Sequence, residues 1–72
     1  MKRVAVKIEG KTNYKYFYSL YELNLEIEKL LETLKQNESL EIKVGNNHYY
    51  IDCENKEWDR HYEYYAKQYL NN

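Results

Sequence analysis

The chain has 72 residues, a net charge of −1, two glycines, no proline and a single cysteine. That length makes one domain, residues 1–72, with a small core; the composition argues against low-complexity disorder, and one cysteine excludes an intrachain disulfide. No apolar run nears the ~18 residues of a membrane helix, and Val4-Ala5-Val6 is shorter than the roughly 7–15 residues of a signal-peptide core, so the expectation is a cytoplasmic protein without membrane contact.

The first strand is expected at about 2–9, where Val4, Val6 and Ile8 alternate with Arg3, Ala5 and Lys7. Gly10 to Asn13 reads as a turn, and Tyr14, Tyr16 and Tyr18 then alternate with Lys15 and Phe17 over about 13–18. The length of the connecting loop decides which set faces the core. An even loop turns Lys15 and Phe17 inward; an odd one turns the three tyrosines inward. Burying Lys15 is unfavourable, so the tyrosines are expected inside and Phe17 outside among lysines.

Ser19-Leu20-Tyr21-Glu22 forms a capping box, so a helix should follow over about 20–36. Leu20, Leu23, Ile27, Leu30, Leu31 and Leu34 make one apolar stripe, Leu25 projects from the opposite side, and Asn37 suits a left-handed position just past the helix. Residues 39–53 are the clearest hairpin. Leu40, Ile42 and Val44 alternate with Glu41 and Lys43, then Tyr49, Ile51 and Cys53 with Tyr50 and Asp52. Either two-residue turn, Gly45-Asn46 or Asn46-Asn47, keeps both apolar sets on one face. The second places Glu41 opposite Asp52, a like-charge pair, so Gly45-Asn46 is preferred. The outward face carries Glu41, Lys43, His48, Tyr50 and Asp52. A second helix is expected from an Asn55 N-cap to about Leu70, burying Trp58, Tyr62, Tyr65, Tyr69 and Ala66 and leaving Tyr64 and Leu70 off the stripe. The order is hairpin, helix, hairpin, helix. It implies an α+β fold: an antiparallel sheet of up to four strands with both helices on one face.

Function is harder to read. Cys53, His48 and His61 lack metal-ligand spacing, Cys53 falls on the inward set, and no glycine-rich phosphate loop exists, so no catalytic residue, metal or cofactor is expected and the chain is read as a non-enzyme. The charge is uneven: residues 1–18 carry +4 and residues 19–72 carry −5. Lys2, Arg3, Lys7, Lys11 and Lys15, interleaved with tyrosines, suit phosphate contact and base stacking. The acidic side chains Glu26, Glu28 and Glu32 on the first helix, and Asp52, Glu54, Glu57, Asp59 and Glu63 further on, suit a basic partner, with Tyr50 and Tyr64 as exposed contact rings.

Stretches such as LYELNLEIEKLLETLK and KEWDRHYEYYAKQY, in a short chain rich in Lys, Asn, Glu, Ile and Tyr, resemble small phage and mobile-element proteins of low-GC bacteria, among them anti-CRISPR inhibitors. The resemblance implies a protein partner, a nucleic-acid-binding defence protein whose basic site the acidic and tyrosine surface would occupy. The basic first hairpin departs from a pure nucleic-acid mimic. The alternatives are a small nucleic-acid-binding module using that hairpin, and an accessory protein that oligomerises, as a homodimer through Leu25 for instance.

Overall fold

The computed structural model describes residues 2–11, 13–52 and 61–71. Their elements run β1 (Val4–Ile8), β2 (Lys15–Phe17), α1 (Leu20–Thr33), β3 (Ser39–Val44), β4 (Asn47–Asp52) and α2 (His61–Asn71). The strands form one antiparallel sheet in the order β2-β1-β3-β4, so β1 lies in the interior of the sheet beside β3. The fold is α+β, in the hairpin-helix-hairpin-helix order expected from the pattern.

Strand alternation sorts the sheet into two faces. Val4, Val6, Leu40, Ile42, Val44 and Ile51 share one face and form a core with Leu23, Ile27 and Leu34 from α1 and its end, and Tyr62 and Ala66 from α2. Both helices therefore pack on the same side. Helix α1 starts as the capping pattern requires: the Ser19 hydroxyl accepts from the Glu22 amide at 3.2 Å. It stops at Thr33, short of the expected 36, with Leu34 already extended. Asn37 is not left-handed; no non-glycine residue is, among those described. The turn after α1 is closed instead by Glu38, whose amide donates to the Lys35 carbonyl and whose carboxylate accepts from the Lys35 amide, both at 3.0 Å.

The β3–β4 turn is Gly45-Asn46, with Val44 opposite Asn47, Leu40 opposite Ile51 and Glu41 opposite Tyr50. Gly45 has φ +62° and Asn46 is not positive, the signature of a type II′ hairpin turn. The like-charge pairing of Glu41 with Asp52 is thereby avoided; Asp52 faces Ser39.

The first hairpin reverses the expected facing. Val4 pairs with Phe17, Ala5 with Tyr16 and Val6 with Lys15. Phe17 and Lys15 are thus on the helix side, and Tyr14 and Tyr16 on the other. Phe17 packs against the core. Lys15 escapes burial because β2 is the edge strand: its side chain stays 68 % exposed while its ammonium reaches Glu26 of α1 at 3.0 Å. The cost that argued for inward tyrosines does not arise.

On α2 the inward stripe is Tyr62, Ala66, Tyr69 and Leu70, not Tyr62, Tyr65 and Tyr69. Leu70 is on the stripe, and Tyr65 is half-exposed on its flank, stacked on Tyr49 with centroids 5.7 Å apart. The buried Tyr62 sends its hydroxyl to Asn24 of α1 at 3.1 Å, joining the two helices. Cys53, the Asn55 cap, Trp58 and the acidic Glu54, Glu57 and Asp59 lie outside the described residues. Among the described residues no helix is long and apolar enough to cross a membrane.

Candidate functional site

The opposite face of the sheet, which no described element covers, collects Ala5, Lys7, Tyr14, Tyr16, Glu41, Lys43, His48 and Tyr50. The register dictates the grouping: Ala5 sits between Tyr16 and Lys43, and Glu41 between Lys7 and Tyr50. Arg3, one step before β1, points to the same side.

A carboxylate organises the middle of this face. Glu41 is only 8 % exposed, yet it carries two hydrogen bonds: it accepts from the Tyr14 hydroxyl and meets His48 Nδ1 at 3.1 Å. The Tyr14 bond holds the Glu41 carboxyl below its ordinary range; burial opposes this, and the His48 bond and the charge of Lys7 add to it. Seen from the other partner, the same bond to Glu41 pushes the Tyr14 phenol up to about 12. Between the two titrations the pair is locked, a charged acceptor with a neutral donor.

Cations lie over the rings around this carboxylate. The Arg3 guanidinium is 3.8 Å from the centroid of Tyr16, and the Lys7 ammonium 4.7 Å from that of Tyr14. Both are within the range of cation–π attraction. The two rings are 6.3 Å apart and tilted 41°, so they diverge rather than stack on each other. Tyr16 is 45 % exposed and Tyr50 47 %. Over Ala5 the face sinks into a shallow depression of about 220 Å³ walled by Arg3, Tyr14, Tyr16 and Lys43. Its far side is the hairpin tip, where Gly45 meets the ring of Tyr69; a Cβ on Gly45 would come 3.3 Å from Tyr69 Cε1. Lys2 sits over that same ring, 5.0 Å from its centroid. Lys2, Arg3 and Lys43 thus gather at one end of the sheet, while Glu9 and Asp52 belong to the other end, where the Glu9 amide donates to the Ser39 carbonyl.

The sequence-derived basic set is therefore split. Arg3 and Lys7 reach the open face, Lys2 flanks it, Lys11 sits in the turn after β1 and Lys15 is committed to Glu26. Lys43 and Ala5 were absent from that set. Parity marks Lys43 as outward, but only the pairing of β1 with β3 brings it beside Ala5 and the tyrosines. The acidic set is split as well. Glu26, Glu28 and Glu32 are on α1, on the helix layer, Tyr50 and Asp52 are on the opposite face, and Glu63 and Tyr64 are on α2. Tyr64 is exposed and meets Tyr65 edge-on at 5.2 Å.

No protein-family model, curated protein or solved structure matches this chain.

Proposed function

We propose that this chain is a non-enzymatic nucleic-acid-binding module whose working surface is the open face of its sheet. The observation that carries the reading is the cation-on-ring arrangement on that face: Arg3 over Tyr16, Lys7 over Tyr14, and Lys43 across from Ala5. Lysine and arginine supply phosphate contacts, and exposed rings supply stacking surfaces that every base can use. The buried carboxylate of Glu41 is engaged by Tyr14 and His48, which blunts its repulsion of a phosphate. Fluorescence anisotropy with a labelled oligonucleotide at low salt tests this. Three cations on a single strand give a slope of log affinity against log salt near −2, from roughly −0.7 per neutralised phosphate. The double variant Arg3→Glu/Lys43→Glu, both at exposed positions, should abolish binding. Absence of binding to single- and double-stranded DNA and RNA at low salt overturns the reading.

A second reading draws on α1. Tyr21, Leu25, Glu28 and Glu32 recur at helical spacing on its outer side, with Tyr21 and Leu25 exposed. An exposed ring and leucine beside carboxylates suit contact with a basic protein surface, as the resemblance to anti-CRISPR inhibitors implies. This inhibitor would occupy the nucleic-acid site of a defence protein. Retention of such a nuclease by the chain, lost on Glu28→Lys/Glu32→Lys and weakened by salt, is the expected result; retention indifferent to both sinks it.

A further inference from the structure

We infer that the depression over Ala5 is a base-binding position, so that the nucleic acid taken by this face is an unpaired strand; the inference rests on the nucleic-acid reading above and narrows it. Ala5 lies at an interior strand of the sheet, with Tyr16 on one side and Lys43 on the other. Its methyl group leaves a gap where a longer side chain would fill the space between those two neighbours. The resulting hollow, about 220 Å³, is smaller than the roughly 300–1,000 Å³ of sites that enclose a drug-sized molecule. It suits one flat ring system lying in the face with the rest of the ligand in solvent.

The walls suit such a ring. Tyr16 and the Arg3 guanidinium lying on it make one flat surface, and Tyr14, tilted 41° away, makes another. Tyr14 cannot swing off, because its hydroxyl is tied to Glu41. The stacking surfaces are therefore arranged before the ligand arrives, which lowers the ordering cost of binding. Lys43 at the rim and Lys7 over Tyr14 supply cations for the phosphates that flank a seated base. A duplex cannot use this hollow without extruding a nucleotide, since its bases are stacked on one another. Among the described residues, no helix projects from the open face to enter a groove.

The test compares four labelled probes of equal length: oligo(dT), its oligo(U) counterpart, an abasic strand with the same phosphates, and a duplex. Each is titrated against the natural chain and against Ala5→Ile, a substitution that fills the hollow with a good strand former. The natural chain should bind the unpaired strands tightest. The abasic strand and the Ala5→Ile variant should each lose roughly fivefold or more, the effect of one stacked base. Binding of the abasic strand equal to that of oligo(dT), or tightest binding of the duplex, overturns the inference while leaving a phosphate-binding face intact. Failure of every probe to bind overturns the nucleic-acid reading itself. Circular dichroism shows whether Ala5→Ile is folded; if it is not, the abasic strand still decides.

Discussion

The two faces of this sheet are built from the same strands, yet they obey different rules. On the helix side, the centre of the sheet is aliphatic and buried, and any of Val4, Val6, Leu40 or Ile42 could be exchanged for a near-isostere. On the open side, Tyr14, Glu41, His48, Arg3, Tyr16 and Lys7 each meet a specific neighbour. The first face is held together by the exclusion of water. The second is held by directional contacts, and no described element covers it.

Substitutions can separate the two. Ile42→Ala on the covered face should cost about 2–5 kcal/mol. The total stability of a chain this long is roughly 4–11 kcal/mol, at 0.05–0.15 kcal/mol per residue, so urea denaturation should show a largely lost or much weakened fold. Glu41→Gln tests whether one open-face residue behaves like a core residue. It removes the charge that Tyr14 and His48 address, and about 1–2 kcal/mol should be lost for a buried, doubly bonded acceptor. The same pair sets a pH window. The Glu41 carboxyl is held below its ordinary range, so its contribution is present above that range and disappears as pH falls through it. The Tyr14 phenol is raised from 10.0 to about 12, so its contribution is present below pH 10 and disappears as pH rises towards 12. Thermal melts of Tyr14→Phe should therefore lie closer to those of the natural chain at both extremes than near neutrality. A constant difference across the pH range would mean that the bond does not form in solution. The smallest effect is expected from Lys15→Ala, which breaks a pair whose lysine is mostly in water; a loss of at most about 1 kcal/mol and unchanged oligonucleotide binding would keep Lys15 apart from the open-face cations.

Much of the covered face was legible in the sequence. The leucine stripe of α1, the Ser19 cap and the alternation of β3 and β4 each express a local rule, and each is found where that rule puts it. Gly45-Asn46 was preferred over the next turn because it kept Glu41 from Asp52, and that is the turn formed. The open face was not legible, because it depends on pairing between distant segments. The facing of Tyr14 and Tyr16 turned on whether Lys15 could be buried, and sequence cannot show that an edge strand lets its ammonium reach Glu26. Nor does alternation reveal that β1 lies beside β3, which alone brings Lys43 to Ala5 and Glu41 to Tyr14. Tyr65 departs from the expected stripe for a related reason: the stripe of α2 is set by what α2 rests on, and Leu70 reaches the core while Tyr65 finds Tyr49.

The pairing of β1 with β3 has a consequence in time. It joins Val4–Ile8 to Leu40–Val44, with a strand and a whole helix between them in the chain. Contacts that close so long a loop form late, since the entropy of closure is lost before the contacts compensate. Until β3 docks, the first hairpin has one three-residue strand as its partner and presents an unpaired β1 edge, a species prone to sticking to others. During synthesis the tyrosines and their cations therefore emerge first but gain their organising carboxylate only after Glu41 has followed. A chain interrupted before that point carries the rings without the surface they belong to.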